Sequence, residues 1–331
     1  MDIRSIKTSA AQSLAEASYN PKKLALIHTG AALLLSLLLT VVNYLLTRSI
    51  DDTAGLAGIG TRTILSFVQS VLSIAGSIAL PFWEIGFLFT ALGMARRAPV
   101  EPKQLMEGFR RFGPVLRLLL LQGLLYAGVA MACAYAATSI FLFSPLSNGM
   151  METLDSLLST ADSVELALQT ETIMESVMPT LTPVYVIFGI LFLAVMIPLF
   201  YRFRMARFAL MDENTTGALA AMKSSSRMTR GKRFFLFKLD VSFWWFYGAQ
   251  MLIALLAYGD MLLPMLGIRL PINSDAAFFV FYAVHLLLQL ALAWGYGSYV
   301  QTTYAHCYDT LRQNIPPAPS AQNVHKNLPW V

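Results

Sequence analysis

An all-α, polytopic membrane protein with six transmembrane helices is the fold class this sequence predicts, on three observations. Of 331 residues, 56% are hydrophobic and 13% charged, a balance suited to lipid rather than water as the solvent. Six continuous apolar runs recur: about Leu24–Leu46, Thr63–Leu92, Leu118–Phe143, Thr182–Phe200, Val241–Leu263 and Ala276–Tyr299. Each is near or above the roughly 20 residues a helix needs to cross about 30 Å of hydrocarbon, and none alternates as barrel strands would. Thirdly, charge is segregated. Pro145 to Leu181 holds six carboxylates (Glu152, Asp155, Asp162, Glu165, Glu171 and Glu175) and no Lys or Arg. The connectors on either side carry six Lys/Arg between Arg96 and Arg117 and nine between Arg202 and Lys238. Connectors that alternate between the two sides of a membrane show this pattern.

Orientation follows from the basic residues. An N-in, C-in arrangement puts 21 of the 24 Lys/Arg in the cytoplasm, leaving Arg48, Arg62 and Arg269 outside. The expected organisation is a cytoplasmic amphipathic segment (1–23), a six-helix domain (24–311) and a disordered cytoplasmic tail (312–331). Within the domain lie the acidic outer segment 145–181 and the basic connectors 95–117 and 201–240. The first span follows about twenty polar residues without a small-residue cleavage site, and is expected to be an anchor rather than a removable signal. The net charge of +5 sits beside spans, which points to anionic headgroups and not to nucleic acid.

In chain order, Ile3–Ala17 puts Ile3, Ile6 and Leu14 on one helical face beside Arg4 and Lys7. It is expected either as a helix on the inner membrane surface or as a solvated tail, and breaks at Tyr19-Asn20-Pro21. After the second span, Glu101-Pro102 opens a short helix carrying Leu105, Met106 and Phe109 on one side, with Gly113-Pro114 as its stop. After the fourth, Asp212 to Thr216 offers helix-start chemistry, and the helix runs to the basic Arg227–Arg233. Met94-Ala95-Arg96 and Met205-Ala206-Arg207 stand at matching points, suggesting a parallel repeat of two hairpins. The acidic segment is spaced for one or two amphipathic helices over the outer ends, with Ser163 as a cap. The Pro-rich 315–320 excludes regular structure.

Inside the spans, Glu84 is the one ionisable carboxylate at depth, on the cytoplasmic side of the midplane. A carboxylate there needs a partner. Gln122 and Tyr126 lie at comparable depth, while His285 stands about 10 Å away along the normal at 1.5 Å per residue. Asn43, Gln250 and Gln289 could complete a polar interior or simply join helices. Gly123, Ala127, Ala130, Ala134 and Ala137 form a small-residue stripe for close packing within the chain or between copies. Pro81, Pro198 and Gly248 are potential kinks.

No HExxH, CxxC, GxSxG or phosphate-binding glycine loop is present. No catalytic residue, metal site or cofactor is therefore expected, and Cys133 and Cys307 provide no disulfide framework. Tyr258-Gly259-Asp260 lacks the second buried Asp of an intramembrane aspartyl site. Asn214-Thr215-Thr216 would face the cytoplasm and stay unglycosylated.

Three patches carry a family resemblance: Gly86 to Phe112 with Leu105-Met106-Glu107-Gly108-Phe109; Ala220–Met228 with Gly231-Lys232-Arg233 and Phe237–Phe243; and Trp294-Gly295-Tyr296 with Tyr304-Ala305-His306-Cys307-Tyr308. Together they cover about a third of the chain. They resemble a bacterial six-span membrane family, domain of unknown function 975. Where that family often has Pro-Tyr, this chain has Gly295-Tyr296. The resemblance implies a Gram-positive-type cytoplasmic membrane and no catalytic residues. Two roles are left open. One is a structural or accessory protein in which Arg96, Arg97, Arg110, Arg111, Arg227, Arg230, Lys232 and Arg233 contact anionic lipid or an unidentified protein partner. The alternative is a small-solute or proton-coupled transporter centred on Glu84.

Overall fold

The computed structural model describes residues 2–52, 59–149, 151–152, 155, 181–212, 217–259, 262–263 and 274–314. Among them the chain is helical, without a strand. The expected helices of the acidic segment, the Ser163 cap, the Asn214 sequon, Asp260 and the Pro-rich tail lie outside the described residues.

Five helices are long and apolar enough to cross a membrane: Pro21–Ser49, Gly60–Ala95, Phe112–Leu142, Thr182–Asp212 and Ala276–Gln313. The sixth expected span is a bent pair, Arg233–Val241 and Trp244–Leu256, meeting at 64°. Only 6–17% of each span's most apolar window is buried. Large apolar side chains instead point outward, among them Leu34, Leu38, Phe67, Leu124 and Met131, as befits chains solvated by lipid. The protein is a multi-pass membrane protein.

The chain divides into two units, residues 1–116 with 205–331, and residues 117–204. In the first unit, α1 (Ile3–Ala15) is capped by Asp2, whose carboxylate accepts from the amides of Arg4 and Ser5. It buries Ile6, Ala10 and Ser13, against α3 (Ile59–Ala95) and α12 (Ser298–Gln313). The segment is thus a helix whose apolar face packs on protein. Ala10 and Ser13 are small enough for protein to approach closely, and Ser13 Oγ reaches His306 Nε2 at 2.8 Å.

The 32-residue α2 (Pro21–Asp52) packs along α3. Trp83 donates its indole N–H to the His28 carbonyl at 2.8 Å, and the His28 ring stacks on Phe87. Pro81 lies within α3 without ending it. After α3 the chain returns through a 3-10 turn (Pro102–Met106) and α4 (Glu107–Arg110). Gly113-Pro114 does not stop this connector. Pro114 falls in the first turn of α5 (Phe112–Leu142), where no amide hydrogen is required.

The second connector holds α7 (Ala206–Asp212), α8 (Ala218–Met228) and α9 (Arg233–Val241). Gly217, not the 212–216 segment, is the N-cap of α8. The fifth apolar run breaks at Ser242-Phe243 before α10 (Trp244–Leu256). Lys7 explains why the break is tolerated. Its ammonium donates to the Ser242 carbonyl at 2.9 Å and lies 4.0 Å from the Phe243 ring centre. The backbone acceptor freed by the bend is thus satisfied, and burial pushes Lys7 below the usual lysine range. Finally α11 (Ser274–Leu292) continues through a π-helical segment, Ala293–Gly297, into α12.

Among the described residues the second unit holds most of α5, a 3-10 turn (Pro145–Ser147) and α6 (Thr182–Phe203). Gln122 is buried and donates to the Phe203 carbonyl at 3.5 Å. Of the small-residue stripe only Ala137 is buried. Gly123, Ala127 and Ala134 are exposed and Ala130 is half-buried, and a Cβ added at Gly123 would meet nothing within 4 Å. The buried face of α5 instead carries Leu118, Gln122, Cys133, Ala137 and Phe141.

Candidate functional site

The compact core of the first unit gathers where α1, the end of α3, α7 and α12 meet. Met94, Met205, Leu210, Met211 and Tyr308 are all buried there to 2% exposure or less. Both Met-Ala pairs of the proposed repeat are therefore core, and both following arginines make ion pairs. Arg96 reaches Asp212 and Asp309, each at 2.5 Å. Asp212, with its side chain only 5% exposed, also accepts from Tyr308 Oη at 2.9 Å and pairs with Arg312. Hydrogen bonding to Asp212, and next to Asp309, holds the Arg96 guanidinium above its ordinary range. The connectors otherwise differ in build, one a 3-10 turn with a short helix and the other three helices.

Arg207 supplies the partner that Glu84 requires, donating to Oε2 at 2.9 Å. Glu84 is 46% exposed. It lies between Phe82 and Gly86, the two α3 residues whose backbones meet Gly108 and Leu105. It therefore stands level with a charged connector, rather than among apolar spans alone, because that connector folds back along α3. Gln122 and Tyr126 belong to the second unit. Gln250 and Gln289 are half-buried and form no side-chain hydrogen bond among the described residues. The side-chain oxygen of Asn43 is buried without a hydrogen-bond partner among the described residues. His285 bonds the Ile253 carbonyl at 2.7 Å, as its distance from Glu84 led one to expect.

The eight basic residues expected to face lipid separate into two groups. Arg96 is committed to its carboxylates. Arg111 caps the end of α7, donating to the Met211 carbonyl at 2.9 Å, beside the Phe89 ring. Arg97 pairs with Glu16 and Arg110 with Glu107. By contrast, Arg227, Arg230 and Lys232 are exposed and make no ion pair among the described residues. Arg233, half-buried, opens α9.

Amphipathicity in α9 is unusual in direction. Leu236 and Leu239 are buried, while Phe234, Phe237 and Val241 are exposed. Lys238 stands 4.7 Å from the Phe234 ring centre, and Trp244 beyond the bend is 72% exposed. A helix with two apolar faces and a cationic margin can bury one face in protein and the other in the headgroup zone. The contributions of Asp212, Asp309 and Lys238 were not apparent from sequence. The Tyr304–Tyr308–Asp309 spacing, one helical turn long, was the available signal.

Among the described residues no group of three or more His, Cys, Asp or Glu is placed to hold a metal ion. Cys133 and Cys307 are buried and are not joined in a disulfide. The fold defines a helical multi-pass membrane protein whose first unit has a compact core where α1, the end of α3, α7 and α12 meet. Residues 5–315 match the family described as Protein of unknown function (DUF975), and the chain belongs to it. No curated protein and no solved structure matches the chain.

Proposed function

We propose that this is a non-enzymatic structural or accessory protein of the cytoplasmic membrane, with both termini in the cytoplasm and the α8–α9 face against anionic headgroups. The observation that carries this reading is α9: a helix bent by 64° from the next one, exposing Phe234 and Phe237 between Lys232 and Lys238. Apolar rings of this kind insert at the interface, and each cation there contributes about 1 kcal/mol of attraction. Transport around Glu84 has less support, because Arg207 already meets the charge of that carboxylate.

Neutralising Arg230, Lys232 and Arg233 together to Gln should lower the number of phosphatidylglycerol molecules retained on native mass spectrometry, with phosphatidylcholine unaffected. Equal retention of both lipids by wild type and variant would refute the headgroup contact.

Orientation has its own test. Both native cysteines are buried, so a cysteine introduced at a chosen surface position can be labelled selectively. Asn148→Cys should react with an impermeant maleimide in intact cells, and Lys223→Cys only after the membrane is opened. The opposite pattern would invert the topology.

A further inference from the structure

A cleft of about 630 Å³ opens in the first unit between the α1–α2 turn and the π-helical segment. Leu14, Asn20, Lys22, Trp294, Ser298 and Tyr299 line it, and no carboxylate does. Its polar groups are mostly donors. Asn20 has used its carbonyl oxygen to cap α2, accepting from the amides of Lys22 at 3.0 Å and Lys23 at 3.3 Å, so it offers N–H. The Lys22 ammonium, the Trp294 indole and the Tyr299 hydroxyl make no side-chain hydrogen bond among the described residues. Ser298 is turned away, donating to the Pro21 carbonyl at 2.6 Å, which braces the floor of the cleft. The π-helical turn brings Trp294 and Gly295 to the wall, a use such segments often have at ligand sites.

Donors without acceptors, around a cavity of ligand size, call for an anion. The level of the cleft narrows the choice. It lies where the apolar run of α2 begins at Leu24 and that of α11–α12 ends at Tyr299, the depth at which Trp and Tyr meet headgroups. We propose that this cleft binds the phosphate of one anionic phospholipid, with Lys22 and Asn20 at the phosphate and Trp294 along the glycerol and upper acyl chains. The site deepens the lipid reading above, but is separate from the α8–α9 face.

The test is native mass spectrometry of the full chain in detergent, titrated with phosphatidylglycerol. Wild type should retain one tightly held molecule. Lys22→Ala should weaken it about fivefold, the loss of about 1 kcal/mol, and Lys22→Arg should restore it. Asn20→Asp keeps the cap acceptor while placing a carboxylate in the cleft, so it should weaken binding at least as much with the fold intact. Wild-type retention in both Lys22→Ala and Asn20→Asp overturns the proposal. Displacement of the lipid by excess inorganic phosphate overturns the lipid source and makes this a free-phosphate site. Loss confined to the Arg230, Lys232 and Arg233 variant leaves the α8–α9 contact standing and removes the cleft. Loss confined to the cleft variants does the reverse.

Discussion

Replacing Gly86 with alanine is expected to unseat the first connector from α3. A Cβ at Gly86 would lie 1.8 Å from the Leu105 carbonyl oxygen, and one at Gly108 would lie 1.9 Å from the Phe82 oxygen. Both obstacles are backbone, so no rotamer change relieves either clash. The connector is also held elsewhere: Leu105 is 1% exposed, and Phe82 stacks with Phe109 and Phe112. The two chains must therefore part, at a cost of about 3 kcal/mol, the upper end for overpacking. Thermal unfolding of the purified protein in detergent should show a clearly lowered midpoint for Gly86→Ala and for Gly108→Ala. Gly123→Ala, with open space around it, should be neutral or stabilising, since alanine is the better helix former. Equal midpoints for Gly86→Ala and Gly123→Ala would show that the crossing is not as close as described.

The second large effect is expected at Asp212. Its nearly buried carboxylate receives Arg96, Arg312 and Tyr308. Asp212→Asn keeps the shape, removes the charge and leaves two guanidinium groups facing an amide. Losing one member of a buried ion cluster costs about 3 kcal/mol, and the partial exposure of both arginines reduces that toward about 2 kcal/mol. The unfolding midpoint should fall accordingly. Arg312→Gln should add little once Asp212 is gone, because the two changes remove one shared interaction. Strict additivity of the two would count against a single network. Glu84→Gln offers the contrast. Its pair joins one carboxylate to one guanidinium outside that network, and both side chains are part-exposed. The loss should therefore be smaller, about 1 kcal/mol.

Seen against these residues, the sequence was informative in a particular way. The spans were legible because a lipid-crossing helix must be apolar along its whole length, whatever its neighbours. The patch from Gly86 to Phe112 holds, in this chain, the two-glycine crossing that seats the connector. Positions depending on partners distant in sequence were harder to read. Arg96 and Arg111 carry the same charge as Arg230 and Lys232, and nothing local separates a guanidinium bound to Asp212 or to the end of α7 from one left facing outward. The bend at the start of the fifth span was hidden for a similar reason. Its run from Val241 is continuously apolar, and the bend at Ser242 is stable because Lys7, 235 positions away, satisfies the freed carbonyl. Glu84 looked isolated because its partner Arg207 belongs to another connector.

Sequence alone determined the helical membrane class, five of the spans and the family, since each rests on the chemistry of contiguous residues. Tertiary structure decided which charges are spent within the protein and which remain available, which face of α5 is buried, and how α9 comes to expose its aromatic rings. Those outcomes depend on which side chains converge where α1, α3, α7 and α12 meet. Convergence is set by helix packing and chain return, and neither is written in any local stretch of the chain.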